Sequence, residues 1–364
     1  QYRIAGGGWT ACAAADGAFD ESSESYECAV SGLAQGSNLV EVRALNRSQV
    51  SSAAPFPSVT LVVDSTPPLN PAAANPHCAA LDNAWQNTCA NANFTWAAGS
   101  DAGSGVNGYY YYWGADPAGT SASYTTSAAY DPPAAGAGTT YLRLQTRDNA
   151  GNTSAWATVF TLRYEITAPS GSLSVASGAA YTPARGVPLG LSASDTGGSG
   201  LVQMRFSNDG STWSDWEVYA AAKNWTLSAG DELKTVYVQF SDGAGNLSDS
   251  VNDTITLDST PPAVNAGSPW MGQDGMVHFD WSSVESGIGG VTYIVEYRLG
   301  AEGEWTAWLD GVTQESAELG PFNRSTRVYF RVRAGDALGN TSAYVESAAS
   351  APNFSLVFLP VLFK

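Results

Sequence analysis

One phrase returns along the chain at a fixed spacing, and it limits the fold more than any other feature. "YLRLQTRDNAGNTS" ends at Ser154, "VYVQFSDGAGNLS" at Ser248 and "VYFRVRAGDALGNTS" at Ser342. Each is an alternating strand that runs into an Asp-x-x-Gly-Asn turn. The turn asparagines Asn152, Asn246 and Asn340 are each 94 residues apart. A worn copy, "LVEVRALNRS", places Asn46 another 106 residues upstream, and its turn has lost the Asp. The insertion around Cys78 and Cys89 accounts for the excess. A repeat of this length, built from short strands, suits a two-sheet sandwich. Within "TVYVQFS", Val236, Val238 and Phe240 share one face, and Thr235, Tyr237 and Gln239 the other. Helical periodicity is nowhere sustained, and "TSAAYDPPAAGAG" is Pro/Gly-interrupted and reads as a loop.

Proline-rich joints separate the repeats: "DSTPP" at residues 64–68, "EITAP" at 165–169 and "DSTPP" at 258–262. A second shared phrase is acidic and glycine-rich: "SDAGSGV" from Ser100, "SDTGGSGL" from Ser194 and "VESGI" from Val284. A strand follows it. "QMRFSNDGSTW" begins at Gln203 and "EYRLGAEGEW" at Glu296, and both align with "QYRIAGGGW" at Gln1. Repeats three and four spend 34 and 33 residues before this point, and repeat one spends none. The expected domains are therefore 1–66 (truncated, with an open groove), 67–167 (with the Cys78/Cys89 loop), 168–260 and 261–350, followed by an apolar strand at 351–364.

These phrases resemble the immunoglobulin-like and fibronectin type III-like repeats of bacterial extracellular surface proteins. The resemblance rests on strand–DxxGN–strand–(D/E)xTxP, recurring over nearly the whole chain. It implies an all-β tandem array of four seven-strand sandwiches, the first lacking its N-terminal strands. It also implies a secreted, cell-surface location and a stalk, adhesin or accessory role.

Composition agrees with export. Cys12/Cys28 and Cys78/Cys89 form two close pairs with no CxxC or Cys–His pattern, so local disulfides are expected. Lys+Arg 16 against Asp+Glu 34 gives a net charge of −18, which argues against nucleic acid and anionic membrane surfaces. No apolar run reaches membrane-spanning length.

The last dozen residues read "NFSLVFLPVLFK". A run apolar on both strand faces expects burial on both. A shortage of strands in repeat one and a spare apolar strand beyond repeat four suggest strand donation. Phe354, Leu356, Phe358, Leu359, Val361, Leu362 and Phe363 would enter the open groove of the next copy. That pairing is heterologous and propagates head to tail unless it closes into a ring. Burying six to eight large apolar side chains contributes roughly 10–20 kcal/mol gross, opposed by ordering and association costs. The competing expectation is that the tail closes repeat four itself, because "YVESAASAP" is a poor strand.

If loops and linkers meet at one end of each sandwich, three acidic positions converge at each joint. These are Asp64, Asp101 and Asp148; Glu165, Asp195 and Asp242; and Asp258, Glu285 and Asp336. Oxygen-only clusters flanked by glycine suit Ca²⁺. Ordinary turn chemistry uses the same residue types. No cofactor is otherwise required.

Asn-x-Ser/Thr sequons, candidate glycosylation sites, occur at Asn46, Asn93, Asn152, Asn224, Asn246, Asn252, Asn323, Asn340 and Asn353. Trp213/Trp216 and Trp305/Trp308 are spaced by three. On a strand that spacing puts one ring in the core and one outside, where it could stack on a sugar. "GYYYYW" (residues 108–113) reads as a buried strand. His77 and His278 are the only histidines, and no HExxH, GxSxG, P-loop or dinucleotide fingerprint occurs. No enzyme is expected. The leading expectation is a structural subunit of an extracellular, pilus-like filament, a homopolymer joined by strand donation. The alternative is a carbohydrate-binding or adhesive stalk fragment of a larger surface protein or secreted enzyme.

Overall fold

The computed structural model describes residues 1–20 and 23–352. The candidate donor residues Phe354 to Phe363, with Asn353, lie outside them. The described chain is β-structure throughout, with one short 3-10 turn at Ala176–Gly178. By contact it divides into two compact units. The first holds residues 1–168 together with the loops Thr196–Gly200 and Gly243–Asn246, and the second holds the remainder.

In the first unit, Ala129–Tyr130, Phe94–Trp96 and Ala74–Pro76 form one sheet. The other runs Tyr124–Thr125, Val106–Gly114, Gly138–Asp148, Ala157–Tyr164, Trp85–Gln86. Their inward residues Phe94, Leu142, Leu144, Phe160 and Leu162 make a closed core. The strand carrying "GYYYYW" is central in this sheet. Tyr109 is buried, and Tyr111 packs on Tyr130 with ring centroids 4.2 Å apart. The Cys12–Cys28 and Cys78–Cys89 disulfides both form.

The same unit begins with a sheet of Tyr2–Ile4, Gly36–Val42 and Ser58–Val63. Its register places Tyr2, Ile4, Val40, Val42, Val59, Leu61 and Val63 on one face. Near that face lies the disulfide-closed segment, where the Tyr2 hydroxyl donates to Ala29 O at 3.0 Å. Among the described residues no buried apolar cluster forms there, and Val59 is 53% exposed. The turn of this sheet sets its register against the other repeats: Asn46 stands where Asp148 does, its Oδ1 accepting the Val50 N–H at 2.9 Å as Asp148 Oδ1 accepts the Asn152 N–H. Val40 and Val42 then match Leu142 and Leu144, which are fully buried. Val40 is buried, as is Tyr2, whereas Val42 is only half-buried.

The second unit holds two complete sandwiches. In one, Ser170–Val175, Gly186–Ser194 and Ala222–Thr226 face a five-stranded sheet centred on Glu232–Asp242. Phe206, Phe240, Leu227, Ile255 and Leu257 fill the space between. In the other, Phe279 stacks on Phe330 at 4.6 Å, within a core that includes Trp281 and Val332. The segment "YVESAASAP" gives two short strands, one at the edge of each sheet. Val345–Glu346 pairs with Val328–Gly335, and Ala351–Pro352 pairs in parallel with Trp270–Met271. Between them, Ser347 N and Ser350 N donate to Phe330 O and Val328 O, both at 2.8 Å. Small side chains suffice because the backbone supplies the bonds. The competing expectation, that the tail closes this repeat, falls on residues outside those described.

Candidate functional site

The joint acids are built by backbone geometry. Asp148 ends the strand Gly138–Asp148, and its turn folds back on it. Asp148 Oδ1 accepts the Asn152 N–H at 2.8 Å, and Oδ2 accepts Asn152 Nδ2 at 2.7 Å. That amide also reaches across to the linker and donates to Asp64 O at 3.0 Å. The same grip recurs. Asn246 Nδ2 donates to Glu165 O at 3.2 Å, all within the first unit. In the second unit, Asn340 Nδ2 donates to Asp258 O at 2.9 Å and to Asp336 Oδ2 at 2.7 Å. The recurring asparagine therefore ties a turn to the preceding linker.

The linker carboxylates are held in a second way. Asp64 Oδ2 accepts the Ser104 N–H, Glu165 Oε2 the Ser199 N–H and Asp258 Oδ2 the Ile288 N–H, each at 2.7 Å. In each case the carboxylate lies flat against a glycine. A Cβ on Gly103, Gly197 or Gly287 would sit 2.4, 1.2 or 2.1 Å from its nearest carboxylate atom. Glycine is required at these points by close approach rather than by backbone conformation. Hydrogen bonds from Ser104, then Gln35 and the Thr66 N–H, hold Asp64 well below the usual carboxylate range.

Asp64, Asp101 and Asp148 each bring one carboxylate oxygen within 4.8 Å of the others. Asp101 Oδ2 also accepts the Gly103 and Gly105 N–H groups at 3.1 and 2.6 Å. Turn and loop bonding thus engages all three. In the second unit Asp258, Glu285 and Asp336 make no group this tight, and Asp336 is folded onto its own turn as Asp148 is. Asp195 follows the strand Gly186–Ser194, and Asp242, which is buried, ends Glu232–Asp242.

The aromatic pairs divide. Trp308 packs on Phe330 in the core, at 5.4 Å. Trp305 lies on the opposite face between Arg298 and Arg331, with guanidinium carbons 4.5 and 4.6 Å from its ring. One ring is inward and one outward as expected, although Trp305 itself precedes the strand Thr306–Val312. Trp213 and Trp216 depart from this pattern: both cover Arg205, at 4.9 and 4.5 Å. They precede the strand Glu217–Val218 and lie outside regular β-structure, so strand parity does not apply. Trp9 repeats the theme with Arg3 and Arg43, at 4.7 and 4.2 Å. These outward rings stack on guanidinium groups. His278 stacks on Trp270 at 3.7 Å and meets Glu318 through Nδ1 at 2.7 Å.

Of the sequon asparagines, Asn152, Asn246 and Asn340 spend their amides on the linker grip. Asn46, Asn93, Asn224, Asn252 and Asn323 are exposed.

No protein-family model matches the chain, and no curated protein matches it. Solved structures similar to it are tandem β-modules. Fibronectin(III)-like modules of Clostridium thermocellum CbhA match with 13% identity and TM-score 0.26, covering 49% of this chain and 92% of that one. The FN1–FN3 domains of chicken CNTN1 match with 14% identity and TM-score 0.26, covering 79% and 100%. Three N-terminal domains of the bacteriophage RB49 outer capsid protein Hoc match with 12% identity and TM-score 0.31, covering 77% and 96%. The assignment of an all-β array rests on the sheets and cores described above.

Proposed function

We propose that this chain is a non-catalytic structural subunit of the extracellular space, joined head to tail with copies of itself. The observation that carries the reading is the first sheet of the first unit. Its core-type face, from Tyr2 to Val63, gathers no buried apolar cluster among the described residues, and Val59 on that face is 53% exposed. Two disulfides fit folding in an oxidising compartment.

The proposed occupant is residues 353–364 of a second copy. Their sequence offers large apolar side chains, Phe354, Phe358 and Phe363 among them, to cover that face. In repeat four, Val345–Glu346 and Ala351–Pro352 already supply an edge strand to each sheet. An extended segment added to a sheet takes its affinity from backbone bonds and its selectivity from alternate side chains. Glycan stacking is the less favoured reading, since arginines already occupy the outward tryptophans.

The test is light scattering and electron microscopy on the full chain and on a variant ending at Pro352. The full chain should form multimers that grow with concentration, and the shortened variant should stay monomeric. A labelled peptide of sequence NFSLVFLPVLFK should bind the shortened variant saturably. A full chain that is monomeric at every concentration, with no peptide bound, sinks the reading.

A further inference from the structure

We propose that Asp258 and Glu285 hold a divalent cation, Ca²⁺, at the joint of the second unit. Asp258 is 2% exposed. Its backbone oxygen takes Asn340 Nδ2, and its Oδ2 takes the Ile288 N–H. Its Oδ1 is shut off from solvent and meets no hydrogen-bond donor among the described residues. Glu285 repeats this pattern on the facing loop. Its Oε1 takes the Gly287 N–H at 2.8 Å, while the enclosed Oε2 meets no donor among the described residues. Both carboxylates converge on Gly287, where a Cβ would stand 2.1 Å from Asp258 Oδ2 and 2.5 Å from Oδ1.

Enclosed anionic oxygens without donors are poorly solvated, and a bound cation corrects this. No Lys, Arg or His pairs with either acid among the described residues. The donors are all oxygen on a glycine-bearing loop, which selects a hard cation that accepts water as further ligands. Asp336 adds negative charge, but its oxygens are already engaged by the N–H groups of Leu338 and Asn340 and by Asn340 Nδ2. The first joint is different in kind. Asp64 Oδ1 accepts Gln35 Nε2 and the Thr66 N–H at 3.0 and 3.1 Å, and Oδ2 accepts Ser104 N. Both of its oxygens are satisfied without an ion. Glu165 Oε1, the matching atom in the first unit, also meets no donor among the described residues.

The site is independent of strand donation and is tested separately. Equilibrium dialysis of the full chain against CaCl₂ at pH 7 should show saturable binding, with Kd roughly 10⁻⁴–10⁻³ M as in other extracellular modules. Asp258→Asn and Glu285→Gln should each lose one equivalent. Asp310→Asn, which removes the same charge from an exposed strand position, should lose none. If Asp258→Asn fails to fold by circular dichroism, the half-buried Glu285→Gln decides: loss of the equivalent supports the site and retention overturns it. Absence of saturable binding by the unaltered chain overturns it as well.

Discussion

Replacing Gly287 with alanine adds one methyl group at a point already filled by a carboxylate. The new Cβ would stand 2.1 Å from Asp258 Oδ2, 2.3 Å from Cγ and 2.5 Å from Oδ1. Gly287 does not occupy the left-handed region, so the penalty is purely steric. Asp258 is buried and cannot swing into solvent without leaving its bond to Ile288 N. A hydrogen bond to a charged group contributes about 1.5–3 kcal/mol, and a donor left unpaired costs about 1–3 kcal/mol more. Partial relaxation recovers some of this, so a net loss of about 2–4 kcal/mol is expected. For a unit of this size that lowers Tm by roughly 5–15 °C. Gly289→Ala is the matched control: its Cβ would meet nothing within 4 Å, and its backbone is also outside the left-handed region. Differential scanning calorimetry of the two variants separates them. Equal melting temperatures would refute the account of the joint as a carboxylate seated on a bare backbone.

Trp308→Ala should cost about 3 kcal/mol in urea unfolding, because it opens the core beside Phe330, whereas Trp305→Ala should cost about 1 kcal/mol, the worth of its contacts with Arg298 and Arg331. The reverse order would show that the outward ring is the structural one. Acid should weaken both units. Asp64 is held low by Ser104, Gln35 and Thr66, Asp209 by the Thr212 and Ser211 N–H groups and Ser207, and Asp231 by Thr260 and Ser259. Depressed folded-state values mean that this stability is complete above the unfolded value near pH 4 and is lost as the pH falls further. Calorimetry should therefore show Tm steady from pH 8 to 5 on this account and falling from about pH 4 downward; a flat profile to pH 2 contradicts it.

Strand periodicity carried most of the fold. Val236, Val238 and Phe240 point inward as their alternation requires, and the close cysteine pairs closed locally. Trp213 and Trp216 misled because both rings precede the strand Glu217–Val218 and close over one side chain, Arg205. The short edge strands Val345–Glu346 and Ala351–Pro352 were hidden because the small, polar side chains around them say little, while backbone bonds are invisible in a sequence. The joint was half legible. The acids and the turn asparagines stand out, but the grip joins Asn152 to a linker 88 residues away. A signal was available all the same. Asp101-x-Gly103, Asp195-x-Gly197 and Glu285-x-Gly287 keep glycine two places after the acid in repeats two, three and four. That offset marks where a neighbouring carboxylate must lie against bare backbone.

The asparagine grip has a mechanical consequence. Asn152 and Asn340 each fasten a linker carbonyl to a turn 88 or 82 residues further along. Under tension, the backbone at such a point cannot lengthen until one side-chain amide releases. The earliest yield is then a small polar event at the hinge, quickly remade when the load drops, while the aromatic interiors stay shut. Such a tether would absorb brief pulls at its fasteners before any module begins to unravel.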